Sequence, residues 1–393
     1  MHLCSIYRTN TDQSPSYCPQ PYRVSHVMIC VPAQSQMRGG AYSLAEDIAR
    51  GLTDKNIKVY FVAFDAQLFT IQDCLTKQSI THHLSSRYAA IGTLVLYLKS
   101  LCIDILHCHL DVAFIASISA FLVGIPSVRT IHGRLDRPGM LVWWEQIAFR
   151  IAVRGLQQRV IAVSDQVRAD LISHYNLKPQ IDVFEIPNGT HLNLLQSREY
   201  TGQGKLVFIF IGRFEKYKGF EELIHAFLKV YAQYPYVQLH LVGDGQEKKL
   251  LDSHLVASDA IIVSEGWQPR SVVREYMRNA HVFILPSHSE GLSIALLDAM
   301  VIGLVPVVSQ AANAYNLVEN RVNGCVFATQ SSEQLQEHLH FLASSPQSLA
   351  AYRVAARATV VANFSLERCI DRHLTLYQWI IDRALPPRCP TQP

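Results

Sequence analysis

Neither loop that follows the first strand of each half of this chain contains G-x-G-x-x-G, so a nicotinamide-dependent oxidoreductase is disfavoured. Its nine cysteines show no C-x-x-C and no framework spacing. Cys30, Cys102 and Cys108 fall inside apolar, strand-like runs, where reduced cysteine packs as a small hydrophobe, and this pattern fits a reducing, cytoplasmic setting. Long apolar runs are also missing. The longest, 112–126, begins after Asp111, falls short of the roughly 20 residues that cross a bilayer and reads as a buried helix. Charge of one sign is scarce: 35 Lys and Arg face 32 Asp and Glu, for a net charge of +3. That bias lacks the concentrated basic footprint of a nucleic-acid binder, and leaves an anionic small ligand or a membrane surface as partners. Residues 1–23 are polar, with no basic stretch leading into an apolar core. They read as a disordered tail and not as a secretory signal, which leaves the N-x-S/T sequons at Asn188 and Asn363 without meaning.

What is present is enough apolar material for two cores: 393 residues, 49% of them hydrophobic. From Val24, β-rich runs at 26–31, 58–64, 103–107, 127–131 and 159–163 alternate with helical patterns, the first at 41–54 behind Gly39-Gly40. The pattern breaks into polar residues and glycines over 188–204, then restarts with runs at 206–212, 237–242, 260–264, 282–285 and 305–308. Such alternation predicts an α/β protein of two Rossmann-like, doubly wound parallel-sheet domains facing a cleft, at 24–195 and 205–363. Phe364-Ser365-Leu366-Glu367 opens a last helix over 364–384, and the Pro-rich end from Pro386 reads as disordered.

The densest chemistry lies in Ser289-Glu290-Gly291-Leu292-Ser293, where carboxylates at 290 and 298 stand eight positions apart. With Glu290 just ahead of a helix and Asp298 two turns inside it, the rise separates them by about 12 Å, the span from sugar to ribose in a nucleotide-sugar. The helix N-terminus between them would face the diphosphate. In Gly212-Arg213-Phe214-Glu215-Lys216-Tyr217-Lys218-Gly219 a strand ends between two glycines that bracket Arg213 and Lys218. Both cations point to a cleft at the carboxyl end of the sheet, one able to fork onto phosphate oxygens, the other a point charge. His132, at a strand end before Gly133, faces the same cleft. His107 and His109 alternate on one strand face without a third ligand, so no metal is expected. Residues 141–159 mix Trp143, Trp144, Ile147, Phe149 and Ile151 with Arg150, Arg154 and Arg159, a composition suited to peripheral contact with an anionic membrane or to a helix with a basic outer face.

Taken in order, Gly39-Gly40, Thr130-Ile131-His132-Gly133, Ile161-Ala162-Val163-Ser164, Ile186-Pro187-Asn188-Gly189, Gly212-Arg213 with Lys218-Gly219, and Glu290 with Asp298 resemble the fourth family of retaining glycosyltransferases. The resemblance covers 24 to about 380 and implies the GT-B fold, with an N-terminal acceptor domain, a C-terminal nucleotide-sugar domain and a last helix that crosses back to the first. It implies that Glu290 holds hydroxyls of the donor sugar, Asp298 the ribose, and Arg213 and Lys218 the diphosphate. Backbone N–H groups of Gly40, Gly291 and Leu292 complete the phosphate cradle, with Gly39 in the same loop. His132 contacts the sugar near its reacting carbon, and Asn188 stands near the donor. Two departures stand out: Asp298 where the family usually has glutamate, and Thr190-His191 where an acidic residue usually follows Asn188-Gly189. The expected reaction is retaining transfer of a sugar from a nucleotide-diphosphate donor, a UDP-sugar foremost, to a hydroxyl of a glycan or lipid-linked glycan in cell-surface polysaccharide or lipopolysaccharide synthesis. No cofactor and no nucleic acid enter it, and the setting is cytoplasmic or on the inner membrane face. A sugar-nucleotide epimerase or hydrolase on the same scaffold, or a non-catalytic nucleotide- or glycan-binding relative, are the competing readings. Residues 65–87 and 134–140, read as acceptor-domain loops, carry no pattern that names an acceptor, and Glu265-Gly266-Trp267-Gln268 falls where relatives hold the base.

Overall fold

The computed structural model describes residues 24–33, 39–65, 67–86, 88–133, 143–249, 260–263 and 266–384. The disordered ends expected over 1–23 and beyond Pro386, the loop 134–140, the side chains of Trp143 and Trp144, and Glu265 lie outside the described residues. Among those described, the first sheet holds β1 (His26–Pro32), β2 (Lys58–Phe64), β3 (Leu68–Asp73), β4 (Ser79–His83), β5 (Ile105–His109), β6 (Ser127–Ile131), β7 (Arg159–Ala162) and β8 (Val183–Glu185), in the order β4-β3-β2-β1-β5-β6-β7-β8. The second holds β9 (Leu206–Ile211), β10 (Val237–Val242), β11 (Ile261–Val263), β12 (Val282–Leu285), β13 (Val305–Ser309) and β14 (Cys325–Phe327), in the order β11-β10-β9-β12-β13-β14. This is the doubly wound order in which direction reverses beside the first strand, between β9 and β12 here and between β1 and β5 in the first sheet.

Strands of β1 type read as continuous apolar runs because both faces are covered. Val27, Ile29 and Val31 pack with the helices Gly40–Asp54 and Leu366–Ala384, while Met28 and Cys30 pack on the other face with Ala89–Ser100 and Ala113–Val123. In the second sheet Phe208 and Phe210 face the helices Phe220–Tyr231 and Ser332–Ser344, and Val207 and Ile209 face Arg270–Arg278 and Ile294–Ile302. One apolar cluster joins the halves, running from Val167 and Leu171 of the first through Leu292 to Leu296 of the second.

The last helix lies against the first sheet, where Ile370, Leu374 and Tyr377 share a core with Leu44, Ile48 and Ile105. Its entry is clamped on both sides of Thr190, whose N–H donates to the Phe364 carbonyl at 2.9 Å and whose carbonyl accepts from Leu366 at 2.8 Å.

Three expectations change. Residues 65–87 are not a loop: β3 and β4 form an antiparallel hairpin that extends the parallel sheet at its edge. β5 begins at Ile105, two residues later than the apolar run, because the Asp104 carboxylate turns inward to accept from the Ser25 and His26 N–H groups, each at 2.9 Å. Cys102 consequently lies exposed in a turn with φ 51°, whereas Cys30 and Cys108 are buried as expected. Among the described residues no helix is long and apolar enough to cross a membrane.

Candidate active site

The loops that leave β9 and β12 meet at the carboxyl ends of the second sheet. After β9 the chain takes one short turn, Lys216–Lys218, and reaches Gly219 at φ 67°, where a Cβ would collide with the Pro286 carbonyl; only glycine lets the two loops touch here. The contact is stitched by the His288 N–H donating to the Tyr217 carbonyl at 2.8 Å and by His288 Nε2 beside Glu222 Oε1 at 2.8 Å. It brings Lys218 Nζ to 2.5 Å from Glu290 Oε2, both side chains mostly buried. Arg213 is exposed on the same loop, with no hydrogen bond or ion pair among the described residues.

From Glu290 the chain runs through Gly291 and Leu292 to Ser293, whose hydroxyl caps the helix Ile294–Ile302 by accepting from the Leu296 N–H. Gly291 is pressed onto the backbone of His132, with no room for a Cβ against the His132 carbonyl. The Asn188 amide donates to the Leu292 carbonyl at 2.7 Å, tying the Asn-Gly turn to the same loop. Opposite, Gly39 precedes the helix Gly40–Asp54, and Gly40 lies against the Ile294 side chain, so the N-termini of two helices converge. Their free N–H groups and dipoles make this a place for negative charge.

Asp298 departs from expectation. It is the fifth residue of its helix, little more than one turn inside, because Glu290 is followed by a non-helical lead. It is neither a surface charge nor a waiting carboxylate: it is 4% exposed, accepts from the Thr190 hydroxyl, and is flanked by Arg270 at 3.3 Å and Arg274 at 3.5 Å. Arg270 also pairs with Asp47 on the helix Gly40–Asp54, and His191 stands 3.4 Å from Asp47. Burial pushes the Asp47 carboxyl up, but the His191 hydrogen bond and the Arg270 charge outweigh it and hold it below its usual range. Burial likewise opposes the Arg270 charge, and Asp298 with Asp47 more than restores it. The two sequence departures, Thr190 and Asp298, are thus partners of one another. Arg270 fills the space between the halves, and the cavity beside it, lined by Gly39, Gly40, Gly212, Gly243, Gln268 and Asp298, is about 120 Å³. That is below the roughly 300 Å³ of small-ligand sites. A larger groove of about 400 Å³ lies between β8 and the last helix and shares none of these loops.

His132 follows β6, half-buried, with its Nε2 at 2.9 Å from Nδ1 of His109 at the end of β5. His107 bonds the Tyr377 hydroxyl at 2.5 Å and the Thr130 hydroxyl at 2.7 Å. Burial, and after it the charge of His373, pushes the His132 ring down to about 3, while His107 is pushed well down by burial and then by His373 and His132, and His109 by burial and then by His107, His132 and His373. These are neutral imidazoles in a file, each placed by hydrogen bonds and stacking and not gathered around a common point.

The structure therefore brings together Gly39, Gly40, His132, Asn188, Lys218, Glu290, Gly291, Leu292 and Asp298, and leaves Arg213 at the rim. Sequence reading missed Arg270 and Arg274 as partners of Asp298, and Asp47 as the second carboxylate held by Arg270. Asp47, one charge on an otherwise apolar helix face, was the available signal. In the segment 141–159, Phe149 proves to be core, its ring 4.3 Å from that of Tyr175 and tilted by 32° to it, while Ile147, Arg150, Ile151 and Arg154 are exposed.

Residues 38–194 match the profile of Glycosyltransferase Family 4, and residues 196–359 that of Glycosyl transferases group 1. A glycosyltransferase of Haemophilus influenzae is 31% identical over 140 residues, which are 35% of this chain and 39% of that one. The alpha-monoglucosyldiacylglycerol synthase of Acholeplasma laidlawii is 23% identical over 283 residues, 64% of this chain and 69% of that one. Among solved structures, Anabaena Alr3699/HepE in complex with UDP-glucose superposes with a TM-score of 0.67 at 20% identity, over 89% of this chain and 98% of that one.

Proposed function

From the premise that this chain belongs to the group 1 and family 4 glycosyltransferases, nucleotide-sugar-dependent enzymes of the GT-B fold, we propose that it moves a sugar, with retention, from a UDP-sugar to a hydroxyl of a glycan or glycolipid. The observation that carries this reading is the Lys218–Glu290 pair, held at 2.5 Å between the loops after β9 and β12, beside two converging helix N-termini. The bond between the sugar's anomeric carbon and the diphosphate oxygen breaks, and the leaving group takes the electron pair. The acceptor oxygen bonds to the same face, and its proton passes to the departing phosphate. Stabilising that developing charge is the main task. Lys218, Arg213 at the rim, and the N–H groups of Gly40, Gly291 and Leu292 serve it. Glu290, released from Lys218 as phosphate takes its place, holds sugar hydroxyls. His132 lies against the sugar, Asn188 keeps Leu292 in place, and Asp298 meets the ribose once Arg270 withdraws.

The UDP-glucose complex of Alr3699/HepE supports the uridine donor, and the Acholeplasma relative, named for a diacylglycerol product, supports a lipid-borne acceptor. So do Ile147 and Ile151, exposed beside Arg150 and Arg154, which suit peripheral contact with an anionic membrane surface.

The test is Lys218→Ala, assayed by UDP release and by thermal shift with UDP. With charge development as the task, kcat falls by about 10²- to 10³-fold, as for loss of one preorganised donor, while UDP still raises Tm. An unchanged kcat, or no shift of the wild-type chain by UDP and its sugars, removes this reading.

A further inference from the structure

Four imidazoles run in file from the last helix to the cleft: His373, His107, His109 and His132, with successive ring centroids 5.5, 4.2 and 5.2 Å apart. Among the described residues, the last pair alone is joined ring to ring by a hydrogen bond, 2.9 Å from His109 Nδ1 to His132 Nε2. Both nitrogens of His107 are taken by Tyr377 and Thr130, so its ring is a fixed plate against which His109 lies.

We propose that His109 is a positioning residue for transfer: by donating from Nδ1 to His132 Nε2 it fixes His132 in the tautomer that carries its proton on Nδ1, a donor for a sugar hydroxyl. Two nitrogens and one proton on each neutral ring leave two arrangements of the pair. In one, His109 carries its proton on Nε2, which is buried and has no partner among the described residues, so an N–H would be stranded without an acceptor. In the other the proton sits on Nδ1, is used in the bond, and leaves only an unpaired lone pair behind. Orphaned buried N–H groups are rarer than under-satisfied acceptors, and the second arrangement follows. His132 Nε2 is then an acceptor, and its proton belongs on Nδ1, to which no described residue bonds. Gly291, closed onto the His132 carbonyl, holds the same residue from the other side. The assignment rests on the reading of His132 as a donor-site residue.

The experiment uses the full chain labelled with 15N-histidine, with the His132 resonances identified by their loss in His132→Gln. Nitrogen NMR of the unliganded protein is expected to show His132 protonated on Nδ1. His109→Leu, which keeps bulk and donates nothing, should move that proton to Nε2, the form favoured in water. The same variant should lower kcat for UDP release from UDP-glucose by about ten- to hundredfold with KM within about twofold, the pattern of an interaction made in the transition state. His109→Asn, whose amide nitrogen takes the place of Nδ1, should restore both readings. A wild-type His132 protonated on Nε2 overturns the proposal. So does a His109→Asn protein that matches His109→Leu in tautomer and rate, because the role would then be packing alone. If UDP-glucose is not turned over, the donor assignment fails, and the tautomer, read without ligand, still decides this proposal.

Discussion

Asp298 is one methylene shorter than the glutamate usual at its position in this family, and the structure shows what the shortening accommodates. Its carboxylate is 4% exposed and boxed by the Thr190 hydroxyl, Arg270 and Arg274. Restoring the common residue therefore does not restore a common site. Asp298→Glu pushes the carboxylate about 1.5 Å further into Thr190 and Arg270 and should cost about 1–3 kcal/mol, the range for overfilling a packed interior. The urea midpoint reads this loss. Thr190→Ala removes the opposing hydroxyl, so the double variant should recover part of it, and a double-mutant cycle returns a coupling of about 0.5 kcal/mol or more. An Asp298→Glu protein as stable as the wild type, with additive single changes, would mean that the two departures arose independently.

At the scale of elements, the helix Arg270–Arg278 of the second half is joined to Gly40–Asp54 of the first through one guanidinium. Breaking a buried pair by removing one partner strands the other charge, at about 3–5 kcal/mol. Arg270→Ala belongs at the lower end of that range, since Asp47 keeps His191 and Asp298 keeps Thr190 and Arg274. The pH dependence carries the signature. Asp47 has its folded pKa depressed, so its contribution is complete above its unfolded pKa near 4 and disappears as pH falls through the folded value. The stability gap between wild type and Arg270→Ala should thus shrink between pH 7 and pH 3, as measured by urea unfolding at each pH; a gap independent of pH would assign the loss to packing. This network also marks where the sequence stopped being legible. Strands such as Val237–Val242 and Val282–Leu285 announce themselves because period and apolarity are local properties. Glu290 and Lys218 were legible because each sits beside glycines at a strand end. The Arg270 contact spans 223 positions to Asp47, and no local pattern encodes a partner that the folded topology alone supplies. β4 was missed for a different reason: Ser79–His83 is an exposed edge strand without an apolar face to give it away, and β3, although Phe69 and Ile71 alternate into the core, pairs antiparallel outside the β/α alternation.

Across the whole molecule, the neutral histidines link every layer of the structure to proton concentration. His132 lies in the first sheet with a pKa pushed down to about 3, and His373 lies in the returning helix at about 4. His281, before β12 in the second sheet, is also held at about 4, first by burial and then by the Arg353 charge, and its Nδ1 accepts from the Val207 N–H at 2.9 Å. Each ring is uncharged when folded and titrates near 6.5 when unfolded. Unfolding therefore takes up protons between those values, and stability rises with pH through the window. Above about 6.5 their contribution is constant; below it, each group removes up to about 1.4 kcal/mol per pH unit until its folded pKa is reached. Against a total of about 5–15 kcal/mol for a domain, two such groups acting from pH 6.5 to 5 remove up to about 4 kcal/mol, a loss that the urea midpoint reads well before Asp47 begins to protonate. The urea midpoint should be flat from pH 8 to 7 and fall steeply from pH 6.5 to 5, in both halves at once, because His281 belongs to one and the remaining rings to the other. A midpoint unchanged down to pH 5 would mean that these imidazoles take up protons inside the fold. His281→Asn, whose amide oxygen can still accept from Val207, should flatten the fall by about one group's share while keeping the structure at neutral pH.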